Sequence, residues 1–346
     1  MKKTLQQVSG LAFLGEELAP CGADIFIENG IITAIEENPR VPDLWICPAL
    51  YNAHTHLADT IAMDCTVAGD LEALVTPPDG LKHRLLRAAS RDELVRGMRA
   101  SMEGMIAAGT CGCADFREGG PDGVRALAEA AEGLAFRPFV FGRDGGEAVS
   151  GGLGISSARD VSDTERLVAD ARQAGKKVAF HAGERDAGDI GDALSYEPDL
   201  LVHMTHATRR QLRSCADGGI PIAVCPRSNW ILGVTASARR PPLALMEELG
   251  CTICLGTDNA MFVPPDLLSE MAFVATVYRC APRAILRAAV RGSGIFGESF
   301  FIRKGGRARL FVVDPAPSAL HFSRDPLATL VKRVNSADIR TNVFTL

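Results

Sequence analysis

Asn52-Ala53-His54-Thr55-His56 is the stretch on which the reading of this chain turns. It follows the apolar run Leu44-Trp45-Ile46-Cys47-Pro48-Ala49-Leu50, which predicts a buried strand. Side chains two apart on a strand share a face, so His54 and His56 aim two imidazoles at one point just past the strand's end. Neutral imidazole is the commonest metal ligand, and zinc or iron takes it readily. A lone H-x-H is a weak signal, because paired histidines occur often on loops. Its weight depends on where the other histidines and one aspartate fall.

Outward from that stretch the rhythm is strand, loop, helix, repeated. Further strands are predicted at Thr110 to Phe116, Arg137 to Gly142 and, weakly, Gly152 to Ser156. Lys177 to Phe180, Leu200 to His203, Ile220 to Cys225 and Cys251 to Leu255 follow. Helix patterns intervene, among them Asp92 to Ala107, opened by a Ser90/Glu93 capping box, then Asp163 to Ala174 and Pro242 to Leu249. With the strand before His54 this makes eight strands alternating with helices, the pattern of a closed parallel barrel. A doubly wound open sheet is the alternative, but no glycine-rich phosphate loop follows the first strand. Residues 57 to 80 are a long irregular excursion ending in Pro77-Pro78-Asp79-Gly80, and loops of that length are commonly lids.

The flanks are β-like. Val8 to Phe13, Ala23 to Glu28 and Ile31 to Ile35 alternate with turns, and Asn29-Gly30 is a strong hairpin signal. Ser299 to Ile302 and Ala308 to Val313 repeat the pattern near the other end. The two ends are expected to share one small β domain, formed by 1–46 and 297–346, beside a barrel over 47–296.

The 346 residues suit an α/β barrel with extra elements. A net charge of −5 without a basic footprint argues against nucleic acid as a partner. Met1 to Gln7 carries two lysines but no apolar run follows, so no secretory leader is expected. No run reaches the ~18–20 apolar residues of a membrane span, and a cytoplasmic location is expected. Ten cysteines, including Cys111-Gly112-Cys113 and Cys251-Thr252-Ile253-Cys254, lie mostly in strand-like runs and read as buried thiols rather than zinc knuckles or disulfides.

In a barrel of this kind the chemistry sits where strands end. The fifth strand ends in His181-Ala182-Gly183-Glu184, the sixth in His203-Met204-Thr205-His206, the seventh in Cys225-Pro226-Arg227-Ser228-Asn229 and the eighth in Gly256-Thr257-Asp258-Asn259. One such histidine is more often a satisfied core residue; five of the seven at three strand ends is another matter. His54, His56, His181 and Asp258 supply three nitrogens and one oxygen, a set for one divalent metal that leaves room for water. Catalytic roles fall to Glu184 as proton carrier, His203 as polarising group and Asp258 as ligand and proton acceptor. Glu184 has a plainer alternative, a salt bridge to Arg185 or Arg143. His206 is expected to be structural, and His83 and His321 to lie at the surface. Substrate-facing candidates are Asp59, Asp64, Arg143, Arg227, Asn229, Trp230 and Asn259. Arg143 could grip an anionic substituent bidentately or pair with Asp144 or Glu147, and Trp230 could stack on a ring or pack the lip.

Pro48-Ala49-Leu50-Tyr51-Asn52-Ala53-His54-Thr55-His56-Leu57 resembles the opening motif of the amidohydrolase superfamily. His181-x-x-Glu184, His203, the Pro-x-Ser-Asn of residues 226 to 229 and Leu255-Gly256-Thr257-Asp258 follow in that family's order, and the resemblance covers most of residues 44 to 262. It is nearest to the aminohydrolase branch containing cytosine deaminase, S-adenosylhomocysteine/methylthioadenosine deaminase and the triazine hydrolases. The resemblance implies an α/β fold, a distorted (β/α)8 TIM barrel with a small β-sandwich-like domain formed by both termini. It also implies a single divalent metal, zinc first and iron(II) second, on His54, His56, His181 and Asp258, with Glu184 and His203 handling protons. A small-molecule substrate is expected, and homo-oligomers are the superfamily's habit.

Two departures stand out. Residues 150 to 158 contain no lysine where binuclear relatives carry a carboxylated one, and Cys225 stands where the triazine branch commonly has histidine. The connection over residues 185–199 is short. The leading expectation is hydrolytic deamination of an aminated heteroaromatic ring, a purine, pyrimidine or pterin-like compound, with metal-bound hydroxide attacking the amino-bearing carbon. Hydrolysis of a cyclic amide, amidine or carbon–halogen bond at the same site is the alternative, and an inert binding protein of the same fold the remote one.

Overall fold

The computed structural model of the chain describes residues 5–66, 69 and 71–344, and these form two sheets. Lys2 and Lys3 lie outside the described residues. The chain opens with β1 (Leu5–Leu14), β2 (Ala19–Glu28), β3 (Ile31–Glu37) and β4 (Trp45–Pro48). The β2–β3 hairpin turns at Asn29-Gly30 with φ of 51° and 79°. Positive φ at both central residues matches the strand twist, which is why Asn-Gly is favoured there.

The apolar run over residues 44–50, expected as one strand, is two. β4 pairs in parallel with β1, whereas β5 (Leu50–His56) pairs with β6 (Thr110–Arg117). The changeover is visible in consecutive amides: Ala49 N–H donates to the Arg309 carbonyl, and Leu50 N–H to that of Gly109, both at 2.9 Å. Hydrophobicity cannot register such a break, because both halves are fully buried. A second difference follows: β5 runs through the histidines, so His54 and His56 lie on the strand rather than past it.

The barrel continues through β7 (Arg137–Gly142), β8 (Gly152–Ile155), β9 (Lys177–Ala182), β10 (Leu200–His203) and β11 (Ile222–Val224), each parallel to its neighbour. The eighth strand is split into β12 (Ile253–Leu255) on β11 and β13 (Asp258–Asn259) on β5, so residues 253–259 close the ring. Gly256 makes the passage: a Cβ there would stand 2.8 Å from that of His54. Asn52 fastens the seam, its amide donating to Thr257 Oγ1 at 2.7 Å while its oxygen accepts from Thr257 N–H at 3.1 Å. The expected helices are present as Arg91–Ala107, with its Ser90/Glu93 capping box, Thr164–Gln173 and Leu243–Glu248.

β14 (Arg309–Val313) and β15 (Ile339–Phe344) complete the small sheet in the order β15-β14-β4-β1-β2-β3. Its buried face gathers Ala12, Ile25, Ile32, Ile46, Leu310 and Val312. Ser299 to Ile302 is not a strand; it gives only an isolated bridge between Leu14 and Ile302. Among the described residues no helix is long and apolar enough to cross a membrane, and all ten cysteines are free thiols.

Candidate metal centre

The parallel barrel delivers its functional side chains to one end. His54 and His56 come from β5, His181 from β9, His203 from β10 and Asp258 from β13. His54, His56, His181 and Asp258 are all buried, and one ligand atom from each lies within 4.8 Å of the others. His54 Nε2 stands 3.1 Å and His56 Nε2 3.5 Å from the same oxygen, Asp258 Oδ1. Two donors ~2.0–2.1 Å from a tetrahedral zinc would be ~3.4 Å apart, so the spacing fits such an ion.

Proton bookkeeping gives a sharper test. His56 Nδ1 donates to the Phe116 carbonyl at 3.1 Å, and His181 Nδ1 to that of Ile155 at 3.0 Å. A neutral imidazole has one N–H, so both Nε2 atoms carry bare lone pairs. Burial pushes both histidines well below their ordinary pKa, and His54 down to about 4, which keeps the rings neutral. Burial pushes Asp258 up, but the His54 hydrogen bond and the surrounding imidazoles outweigh it and hold the carboxyl well below its usual range. Bare nitrogens and an anionic oxygen brought this close in a buried site repel one another unless a cation lies between them. The donor set therefore fits a divalent metal. Ser228 steadies Asp258 by donating to Oδ2 at 2.6 Å.

Beside this set stands a second group. Glu184 Oε1 lies 3.6 Å from His203 Nε2, and both share Asp258 as neighbour. Burial raises the Glu184 pKa, His203 opposes the shift and Asp258 adds to it. A carboxyl whose protonated form is favoured in this way is suited to carrying protons. Gly183, at φ +67°, turns the chain between His181 and Glu184, and its N–H is pinned by Asp189 Oδ1 at 2.8 Å. His203 and Asp258 are non-glycine residues at φ 72° and 63°, a strained geometry that clusters at functional sites.

The cleft in front holds about 50 Å³ and is lined by Arg143, Ser156, Asp160, Arg185 and Asn259 besides His56, His181, Glu184, His203 and Asp258. Leu71, Val75, Thr76 and Pro77 cover it, which places part of the expected lid over the site. Residues 67, 68 and 70 of that excursion lie outside the described residues.

Five expected substrate contacts do not line the cleft. Arg227 is occupied by Glu270, with Nε to Oε2 at 2.6 Å, and by the Pro264 and Asp266 carbonyls. Trp230 packs the lip, its ring against Phe273 and its N–H on the Tyr278 hydroxyl at 2.9 Å. Asn229 is buried, accepts from His203 Nδ1 at 3.1 Å and donates to Thr205, so it orients that imidazole instead. Asp59 is buried beside Lys82. Asp64 is exposed and outside the cleft lining. Cys225 is fully buried against Gly256, and burial keeps its thiol protonated. His206 holds Gly183 through its backbone N–H at 2.9 Å, and His83 is half-buried on the Val75 carbonyl rather than at the surface.

No motif in the sequence marks the charged wall behind His56. Glu118 Oε1 stands 2.9 Å from His56 Nδ1, 2.8 Å from Lys82 Nζ and 3.3 Å from Arg143 Nη1, while Oε2 accepts from Arg117 at 2.6 Å. Arg117 also pairs with Asp115, which takes the Leu57 N–H at 2.7 Å and so holds the chain just after the histidine pair. Burial pushes Glu118 up, but Lys82, His56 and Arg117 overcome it and keep the carboxyl ionised.

The family models for amidohydrolases and for adenosine deaminase match residues 45–146 and 145–297, respectively. A protein of Methanothermobacter thermautotrophicus named as an aminohydrolase is 34% identical, over 96% of this chain and 95% of its own. The 5-methylthioadenosine/S-adenosylhomocysteine deaminase of Halobacterium salinarum is 28% identical, over 99% of this chain and 91% of its own. A zinc-bound adenosine deaminase from Xanthomonas campestris has the same fold, with a TM-score of 0.79 at 18% identity over 97% and 90% of the two chains.

Proposed function

The chain belongs to the amidohydrolase superfamily, a hydrolase of carbon–nitrogen bonds, and from that premise we propose that it deaminates an aminated heteroaromatic ring. The observation that carries this reading is the convergence of two bare imidazole nitrogens and an ionised carboxylate beside a carboxyl of raised pKa, Glu184. His54, His56, His181 and Asp258 would hold one divalent ion, zinc ahead of iron(II). Such an ion supplies Lewis acidity that makes water nucleophilic at neutral pH.

The remaining work falls to the chain's own groups. Glu184 takes a proton from the attacking water and hands it to the ring nitrogen, then passes the proton of the newly added hydroxyl to the departing amine. Overall, ring C–NH2 and water give ring C=O and ammonia. His203, oriented through Asn229, presents Nε2 beside Glu184 and polarises the group at the reacting carbon.

The test is ammonia release from zinc- and iron(II)-loaded protein across aminopurines, aminopyrimidines, their nucleosides and pterins. One substrate class turning over, with Glu184→Gln down by roughly 10²–10⁴, supports the reading. Fully metallated protein that releases no ammonia from the whole panel overturns it, and halide or ring-opened products would identify a different hydrolysis.

A further inference from the structure

Lys82 and Arg143 converge on one atom, Glu118 Oε1, and both line the cleft beside His56, His181 and Glu184. Neither is fully spent there. The Lys82 ammonium has three N–H groups and two carboxylate neighbours, Glu118 at 2.8 Å and Asp59 Oδ2 at 3.0 Å. Arg143 commits Nη1 to Glu118, and its side chain is only 10% exposed. Its Nη2 lies 3.1 Å from His181 Nδ1, but that nitrogen donates its own proton to the Ile155 carbonyl and has no lone pair to offer. Its Nε is buried with no partner. Nε is closed off from the cleft, which leaves Nη2 as the guanidinium nitrogen without an acceptor there among the described residues. Buried donors left unpaired are costly, and the ligand of the cleft is the remaining source of acceptors.

Charge decides what kind of acceptor. Lys82, Arg117 and Arg143 interlock with Asp59, Asp115 and Glu118, three cations against three carboxylates. Each cation has a carboxylate within 3.3 Å, so what the wall offers a ligand is N–H donors suited to a neutral oxygen rather than a charge in search of a counter-ion. We infer that Lys82 Nζ and Arg143 Nη2 form a subsite for a ring carbonyl of the substrate. The substrate class is then amino-oxo heteroaromatics rather than rings bearing amino groups alone. This rests on the deaminase reading and narrows it.

The experiment uses matched rings that differ by one oxo group: isoguanine against adenine, and cytosine against 4-aminopyrimidine. Binding to zinc-loaded Glu184→Gln protein is measured by calorimetry, with ammonia release by the wild type alongside. The oxo member of at least one pair should bind ten-fold or more tighter, and Lys82→Met should erase that preference while zinc stoichiometry stays at one. Lys82→Gln, which keeps donors but no charge, should restore part of it and guards against misfolding of the first variant. Equal binding within both pairs, or a preference that survives Lys82→Met and Arg143→Met, overturns the subsite. Amino-only rings turning over faster than oxo rings overturns it while leaving deamination standing. No ring bound or deaminated overturns both.

Discussion

His54, His56 and His181 are buried as neutral rings, whereas Lys82, Arg117, Arg143, Asp59, Asp115 and Glu118, on the neighbouring wall, are buried as interlocked charges. The first wall lets desolvation strip protons and so prepares lone pairs for a cation. The second opposes desolvation with opposite charges at 2.6–3.3 Å. The two meet at His56, whose Nδ1 faces the charged wall and whose Nε2 faces the ligand set. The lesson is a division of labour: a neutral wall accepts the ion, and a balanced ionic wall fixes how one ligand is aimed.

Removing Asp258 strikes the neutral wall hardest, since it leaves the lone pairs with no anion. Asp258→Ala should bring bound metal close to zero by elemental analysis and activity below detection; full metal retention would break the comparison. Glu184→Gln should lower kcat by roughly 10²–10⁴ with metal content intact, because Glu184 stands outside the ligand set. Glu118→Gln tests whether the walls communicate. Metal affinity, read by competition with a chelator, should weaken by about 10–100-fold although Glu118 is not in the ligand set. An unchanged affinity would reduce the charged wall to packing. The smallest effect is expected from Ser228→Ala, which removes one hydrogen bond to Asp258 and should cost about 1–3 kcal/mol in urea unfolding.

How much of this was legible in the chain follows the same division. Period-two spacing put His54 and His56 on one face, and the ends of apolar runs placed His181, His203 and Asp258 at one end of the barrel. Both signals are local, so the sequence carries them. Lys82 sits in Leu81–Ala88, a short basic helix that reads as a solvated face, and only the folded excursion brings it into the cleft. Glu118 follows Arg117 at the end of β6 and looks like an ordinary strand-end pair. Arg227 and Trp230 misled for the converse reason: strand-end position was right, but Glu270 and Phe273, far along the chain, claim them. The Trp45–Pro48 and Leu50–His56 boundary was hidden because neither half is exposed.

That boundary has a consequence for how the protein is made. β4 lies between β1 and β14, and the next residues carry the histidine pair. The entry to the metal-binding strand is therefore gripped on one side by residues 11–12 and on the other by residues 310–313. During synthesis the first grip can form once residue 46 has emerged, long before the second. Metal loading should wait until residues 310–313 have emerged, and a nascent chain halted before residue 309 should expose its histidines without arranging them into a site.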